Sequence, residues 1–192
     1  MATEFELKYA ATSTQLSKIR AAVPGEYTAI TMETTYYDTP DLKLAMHHWT
    51  LRRRMENDVS VCTFKRPRAD GSRGEWEVEA ASIMEGVRKL CQAGADWELM
   101  RIASGGLMET CGARFTRLAA TLEIPGGKVE LALDQGVLLG RGKELPFAEV
   151  EVELKEGQDE AARAFAKALA EEFALTGEPE SKFARAMTLA MT

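Results

Sequence analysis

The 192-residue chain contains 45% hydrophobic and 28% charged residues, which provides enough apolar material for one globular core, and it has no apolar run long enough to cross a membrane. Its net charge of −6 argues against a general nucleic-acid-binding protein, because such proteins usually carry a basic excess. The N-terminus lacks a basic stretch followed by an apolar core, so we expect a cytoplasmic protein without a secretory signal.

Eight segments have the composition and alternation that are typical of β-strands. In chain order they lie at residues 2–10, 27–38, 49–56, 59–66, 73–80, 113–124, 128–135 and 145–155. Turn-forming residues separate the third, fourth and fifth segments, so these three are predicted to form an antiparallel meander. A loop containing Gly136, Gly140 and Gly142 is predicted to join the last two.

Helical spacing of apolar residues appears between these strands. Thr12 or Ser13 can cap a short helix that ends at Pro24, and residues 82–112 are predicted to be mostly helical. A helix capped by Asp159 should run to about Leu175. The tail, residues 181–192, is expected to dock through Phe183, Met187 and Leu189.

The cysteines and histidines do not form a motif for catalysis or metal binding. Cys62, Cys91 and Cys111 are odd in number and lack CxxC spacing, which indicates reduced, structural thiols. His47 and His48 are adjacent, so their side chains diverge on a regular element, and we interpret them as structural or surface residues.

Charged residues alternate with apolar or neutral ones at strand period from the start of the chain. Because successive side chains of a strand point to opposite sides, Glu4, Glu6 and Lys8 share one face. The same pattern recurs at Arg52 and Arg54, Thr63 and Lys65, Glu75, Glu77 and Glu79, and Glu149, Glu151 and Glu153. Such faces either lie in bulk water or close around a charged interior.

A closed barrel with helices packed outside would bury the apolar face and turn the charged face inward. An empty charged interior is costly, because an unpaired charge loses its hydration. Carboxylates bind hard divalent cations, whereas Arg and Lys bind phosphate oxygens. A mixed interior therefore suits a metal-complexed polyphosphate, although a solvated basic face remains the alternative for the clusters at residues 52–54 and 65–68.

The chain resembles the CYTH domain family, also called triphosphate tunnel metalloenzymes. The ExExK signature at residues 4–8 carries this resemblance, together with motifs that follow in the family's order over essentially the whole chain. These motifs are Tyr36-Tyr37-Asp38-Thr39-Pro40, Leu51-Arg52-Arg53-Arg54, Thr63-Phe64-Lys65, Glu75-Trp76-Glu77, Ala132-Leu133-Asp134-Gln135-Gly136, Glu149-Val150-Glu151-Val152-Glu153 and Ser181-Lys182.

The resemblance implies an α+β fold in which residues 1–192 form a single CYTH domain, an eight-stranded antiparallel closed β-barrel that binds triphosphates with Mg²⁺ or Mn²⁺. By similarity, metal would be held by Glu4, Glu6, Glu149, Glu151 and Glu153, with Glu75, Glu77 and Asp134 as further candidates for metal or water positioning. Phosphates would be held by Lys8, Arg52, Arg54, Lys65, Arg117 and Lys182. The catalytic set is predicted to be Glu4, Glu6, Lys8, Lys65 and Glu77, and the general base stays open.

Several charged or aromatic residues near these motifs have a simpler interpretation. Arg73 and Arg185 either reach phosphate or pair with carboxylates. Arg53 faces away from its neighbours, and Asp38 should shape its turn. The residues expected in solvent or in packing are Glu79, Glu130, Tyr36 and Tyr37.

One position departs from the family pattern, in which a second basic residue often follows the later-strand arginine two positions on. Here Arg117 is followed by Leu118 and Ala119, and Arg114 is out of phase with it. One cation is therefore expected to be missing from the charged face.

The sequences of the later strands are most similar to those of the bacterial inorganic triphosphatase branch. This resemblance implies hydrolysis of inorganic triphosphate to pyrophosphate and phosphate. A class IV adenylate cyclase, a phosphatase of thiamine triphosphate or nucleotides, and a non-catalytic polyphosphate-binding module remain alternatives. The expected partner is a small triphosphate, with no nucleic acid and no membrane.

Overall fold

The computed structural model describes residues 5–68 and 73–192, with only the backbone of Arg73. The strands are β1 (Glu6–Ala10), β2 (Thr28–Asp38), β3 (Thr50–Glu56), β4 (Val59–Pro67), β5 (Arg73–Glu79), β6 (Met108–Ile124), β7 (Gly127–Gly140), β8 (Lys143–Gly157) and β9 (Thr176–Gly177). They form one antiparallel sheet in the order β5-β4-β3-β2-β6-β7-β8-β1-β9.

Six helices accompany the sheet in the described part of the chain, so the architecture is mixed α+β. They are α1 (Ser13–Ala22), α2 (Lys43–Met46), α3 (Ile83–Gln92), α4 (Trp97–Ala103), α5 (Asp159–Phe173) and α6 (Lys182–Met191). Thr12 and Gln15 form a reciprocal capping box that starts α1. None of these helices is both long and apolar enough to cross a membrane.

All eight predicted strands are present, and β9 adds a two-residue pairing with β1. The predicted glycine loop is wrong, because β7 continues through Gly136 to Gly140. The helical prediction for residues 82–112 is correct for α3 and α4 but not at its end, since β6 begins at Met108. Gln158, rather than Asp159, occupies the cap position of α5.

Alternation gives the sheet two chemically different faces. The outer face is apolar and is covered by two separate groups of helices. One core contains Leu51, Phe64 and Val87 beneath α3 and α4, and the other contains Leu131 and Val150 beneath α1 and α5. We call the opposite face, which carries the charged residues of the strands, the inner face.

The C-terminal helix lies on the inner face, where it contacts β6, β7 and β8. Tyr36, Phe115 and Phe147 form part of a third apolar core with this helix. Phe183 and Met187 of the tail pack against that core, as predicted, but Ala190 rather than Leu189 is the third docking residue. The ring centroids of Phe183 and Tyr36 are 4.9 Å apart.

Curling of the sheet brings distant strands together. Glu75 of β5 and Glu6 of β1 line the same cavity, although β5 and β1 lie at or near opposite ends of the strand order. Within the described residues, no hydrogen-bonded ladder joins β5 to β1 or β9. The prediction of a closed barrel is therefore not confirmed, whereas the antiparallel sheet is. Helices cover its outer face as predicted, but α6 lies on the inner face.

Gly136 offers a test of how the inner face is packed. It lies opposite Phe115 and Phe147, and a Cβ at this position would lie 2.1 Å from the Arg114 carbonyl oxygen. We expect Gly136→Ala to lower the free energy of unfolding by about 1–3 kcal/mol, because the neighbouring backbone must move. Urea denaturation measures this change.

Gly177→Ala is the matched control, since a Cβ there meets nothing within 4 Å. Equal unfolding midpoints for the two variants would show that β6 and β7 are not closely packed at Gly136.

Candidate active site

A cavity of about 550 Å³ lies on the inner face and is bounded by strands from both halves of the sheet and by the start of α6. Its charged lining residues are Glu6, Lys8, Arg52, Arg54, Lys65, Glu75, Arg117, Glu151, Glu153 and Lys182. Cations outnumber carboxylates in this described lining. Such a site attracts an anion with several negative charges, and its carboxylates also offer oxygen ligands to a divalent cation.

The antiparallel register explains why opposite charges meet in this lining. Glu6 lies opposite Glu153, and Lys8 lies opposite Glu151 in the pairing of β1 with β8. Lys65 lies opposite Glu75 across β4 and β5, and its Nζ is 2.9 Å from Glu75 Oε2. Period-2 alternation thus places these strand charges on the inner face, and the register selects their neighbours.

Arg54 is a buried cation in a crowded positive environment. Its Nε donates to Thr34 Oγ1 at 3.0 Å, and its Nη1 is 3.5 Å from Glu56 Oε1. Burial, followed by the charges of Arg52 and Arg117, lowers the pKa of Arg54 to about 10. The guanidinium remains charged at neutral pH, and a bound anion would offset its repulsion by Arg52 and Arg117.

A buried ionic network adjoins the cavity at β7, β8 and α6. Arg117 donates two hydrogen bonds of 2.8 Å to Asp134 and also contacts Glu151. Lys182 Nζ lies 2.6 Å from Glu149 Oε1, 2.6 Å from Glu151 Oε1 and 2.9 Å from Asp134 Oδ2. Arg185 contacts Glu149 from the other side. We call these six residues the acid–base network.

Mutual pairing offsets the cost of burying these charges. Burial disfavours the charged form of Lys182, but the carboxylates of Glu151, Asp134 and Glu149 raise its pKa above the ordinary lysine value. Although burial opposes it, the charges of Lys182 and Arg117 lower the pKa of Glu151. Both partners therefore stay ionised at neutral pH.

Four predicted site residues do not line this cavity. Asp134, Glu149 and Arg185 belong to the acid–base network behind it, where Arg185 also lies 3.4 Å from Glu178. Glu77 accepts a hydrogen bond from Thr63 at 3.1 Å and lines a second cavity. Glu4, and the side chain of Arg73, lie outside the described residues.

The second cavity, of about 580 Å³, lies farther along the inner face. Glu56 and Glu77 follow Arg54 and Glu75 by two residues on the same strands, so the two cavities are neighbours. The described lining of the second cavity contains no Lys or Arg; it consists of Thr28, Ile30, Glu56, Asn57, Val59, Val61, Glu77, Val78 and Glu79.

No charged residue occupies the position two residues after Arg117, where the sequence departs from the family pattern. Ala119 lies between Thr28 and Ala132 in the sheet and supplies no charge. Arg114 instead pairs with Glu144 at the exposed surface. Neither residue replaces the missing cation.

The remaining charged and aromatic residues occupy simpler positions. Asp38 accepts hydrogen bonds from the backbone of Thr39, Leu44 and Ala45, so it shapes the turn before α2. Arg53 Nε donates to Ser60 Oγ at 2.9 Å. The side chains that were expected in solvent or in packing are placed as follows: Glu79 is exposed, Glu130 is half-buried beside Lys155, Tyr36 packs on Phe183, and Tyr37 packs in the core beneath α3.

Sequence reasoning missed the segment before α6. Pro179 and Ser181 line the first cavity, and the carbonyl oxygen of Glu180 accepts a hydrogen bond of 2.8 Å from Lys8 Nζ. Ser181 caps α6 through the backbone N–H of Ala184. The motif at residues 181–182 marked the neighbourhood, but it did not reveal Pro179 or the Glu180 carbonyl oxygen, because backbone contacts leave no trace in residue type.

The donor set fits a hard divalent cation. Carboxylates of Glu6, Glu151 and Glu153 line the cavity, and one oxygen from each of Asp134, Glu149 and Glu151 lies within 4.8 Å of the others. Carboxylate oxygens are ligands that Mg²⁺ and Mn²⁺ accept. In the second group, however, Lys182 Nζ already contacts all three carboxylates.

Comparisons with known proteins agree with this geometry. The inorganic triphosphatase of Haemophilus influenzae is 28% identical over 134 residues, which make up 69% of this chain and 38% of that relative. The chain therefore spans well under half the length of that curated relative.

Two solved structures share the fold. HpAC1 from Hippeastrum, a candidate adenylyl cyclase with a dominant triphosphatase activity, has a TM-score of 0.69 at 20% identity, covering 94% of this chain and 93% of that one. PH1819 from Pyrococcus horikoshii has a TM-score of 0.65 at 23% identity, covering 98% and 99%. Residues 2–187 match the sequence pattern of the CYTH domain family. The chain belongs to the CYTH domain family.

Proposed function

We propose that this protein hydrolyses inorganic triphosphate to pyrophosphate and phosphate with Mg²⁺ or Mn²⁺. The observation that carries the proposal is the cavity of about 550 Å³ whose lining combines an excess of Lys and Arg with several carboxylates. The cations suit the phosphate oxygens, and the carboxylates suit the metal ion that accompanies them. The similarity to the Haemophilus influenzae inorganic triphosphatase supports the same substrate.

The carboxylates that line the second cavity favour a short polyphosphate as the substrate. The lining of this cavity contains Glu56, Glu77 and Glu79, and the described lining residues include no Lys or Arg. A longer polyphosphate would place further negative charges beside these carboxylates, where they repel each other. A triphosphate can instead remain within the cationic cavity.

We assign the phosphate contacts to Lys8, Arg52, Arg54 and Lys65, and the metal contacts to Glu6, Glu151 and Glu153. All seven side chains line the cavity. When bound, the metal ion supplies positive charge that offsets the charge developing on the transferred phosphoryl group. The arginines hold the triphosphate in line and add to that stabilisation.

In hydrolysis, a water molecule attacks the terminal phosphorus, and the bond between this phosphorus and the bridging oxygen breaks. The bridging oxygen leaves with pyrophosphate, and a carboxylate of the cavity wall accepts the proton of the water. Glu75 is a candidate for this role, because it lines the cavity on the strand opposite Lys65. Glu77 lies one pleat away and accepts a hydrogen bond from Thr63.

An organic triphosphate is the second candidate substrate. The second cavity adjoins the cationic one and has Ile30, Val59 and Val61 in its wall, so a base or another apolar group has room there. In this alternative the protein acts as a phosphatase of thiamine triphosphate or a nucleotide, or as an adenylate cyclase.

Substrate choice is tested by measuring phosphate release from tripolyphosphate, ATP and thiamine triphosphate in parallel, with Mg²⁺, Mn²⁺ or EDTA, and by following cyclic AMP. We expect rapid release from tripolyphosphate that EDTA abolishes, because the reaction needs the metal ion. Preference for an organic triphosphate, or formation of cyclic AMP, would replace the proposed substrate. Binding without turnover would identify a non-catalytic module.

Arg52→Ala tests the phosphate contacts. A hydrogen bond to a charged group contributes about 1.5–3 kcal/mol, so we expect KM for tripolyphosphate to rise about tenfold or more. Arg53→Ala is the matched control, because the neighbouring side chain lies on the outer face and bonds to Ser60. Steady-state kinetics that do not distinguish the two variants would place Arg52 outside the binding site.

Glu6→Gln tests the metal contacts while preserving side-chain shape. We expect the metal-dependent rate to fall about 100-fold or more, since a metal ion contributes several kcal/mol of charge stabilisation. Glu123→Gln, at an exposed carboxylate that pairs with Lys128, is the control. Unchanged kcat in Glu6→Gln, measured over a range of Mn²⁺ concentrations, contradicts the assigned role.

A further inference from the structure

Lys182 occupies the position that a metal ion would take among three carboxylates. Its Nζ lies 2.6–2.9 Å from one oxygen each of Asp134, Glu149 and Glu151. One oxygen from each of these three carboxylates also lies within 4.8 Å of the others. The side chain is only 7% exposed, so this ammonium group is an integral part of the acid–base network.

Glu151 connects this network to the cavity, because it belongs to both. Its Oε1 contacts Lys182, and its Oε2 contacts Arg117. Both oxygens thus already have cationic partners. A divalent ion that takes Glu151 as a ligand therefore competes with these two cations.

Charge balance also favours the departure of one cation when a divalent ion binds. The acid–base network contains three carboxylates, on Asp134, Glu149 and Glu151, and three cations, on Arg117, Lys182 and Arg185. Adding a divalent ion without removing a cation would leave two excess positive charges in a buried region, which is costly, and the departure of one cation halves that excess.

Lys182 is the cation that can leave. Arg117 holds Asp134 through two parallel hydrogen bonds, and Arg185 lies outside the cavity lining between Glu149 and Glu178. Lys182 itself lines the cavity. Its ammonium is a point charge on a flexible stem, so it can turn toward the cavity without movement of α6.

We propose that Lys182 Nζ and a divalent metal ion are exchangeable occupants of the Asp134–Glu149–Glu151 site. Metal binding displaces Nζ, which then turns into the cavity and binds a phosphate oxygen of the substrate. The phosphate contact rests on the proposed function, whereas the exchange itself does not. Triphosphate therefore promotes metal binding by giving the displaced lysine a new partner.

The test is Mn²⁺ binding without substrate, measured from the electron paramagnetic resonance signal of free Mn²⁺. We expect Lys182→Met to bind Mn²⁺ about tenfold more tightly than the original chain, because the competing ammonium is gone. Lys128→Met removes the same charge from an exposed pair with Glu156 and should leave the affinity unchanged. Equal or weaker Mn²⁺ binding by Lys182→Met overturns the proposal.

A measurement on the unaltered chain covers the case in which Lys182→Met does not fold. The ammonium resonance of Lys182 is observed by ¹⁵N NMR and assigned by its absence in Lys182→Arg, which keeps the charge. Addition of Mg²⁺ should shift this resonance and speed its proton exchange with water. An unchanged resonance at saturating Mg²⁺ contradicts the exchange.

These results are independent of turnover. Tighter Mn²⁺ binding by Lys182→Met combined with no hydrolysis of any triphosphate would support the exchange and contradict the proposed function. Rapid tripolyphosphate hydrolysis combined with unchanged Mn²⁺ affinity in Lys182→Met would support the proposed function and contradict the exchange.

Discussion

The inner face of this sheet depends on the pairing of charges that have been removed from water. Asp134 and Glu149 have no exposed side-chain surface, and each is held by cations from other elements. A buried carboxylate without such partners would lose several kcal/mol of hydration. The position of α6 follows from this constraint, because Lys182 and Arg185 enter the acid–base network from that helix.

Apolar packing next to the acid–base network holds the helix in place. Lys182 Nζ lies 5.3 Å from the ring centre of Phe115 and 5.5 Å from that of Phe147. Gly136 leaves room for these rings, which meet edge to face with centroids 5.6 Å apart. The cations of α6 are thus positioned by aromatic rings as well as by carboxylates, while the cavity beside them keeps cations in excess.

Much of the fold could be predicted from alternation alone. Glu6 and Lys8 are two residues apart in a strand, as are Arg52 and Arg54, so the members of each pair share one face whichever strands lie next to each other. Strand lengths were less predictable, because Gly136 and Gly140 suggested a loop although the close approach of neighbouring backbone requires glycine within β7. Closure of the sheet depends on how far it curls, which residue parity does not determine.

The candidate site could also be predicted only in part. Residue type and parity placed Arg52 and Lys65 in the cavity, but they did not reveal which charges neutralise each other. The pairing of Lys182 with Glu149 joins residues 33 positions apart and depends on the docking of α6. Sequence motifs therefore indicate the kinds of ligand, whereas tertiary packing selects the partner of each charge.

The most direct test of the central claim is a crystal structure with tripolyphosphate and Mn²⁺, in which anomalous scattering locates the metal ion. The account predicts triphosphate oxygens within hydrogen-bond distance of Arg52, Arg54 and Lys65, and an Mn²⁺ peak beside Glu151. Triphosphate bound away from this cavity, or Mn²⁺ held without any of its carboxylates, would contradict it.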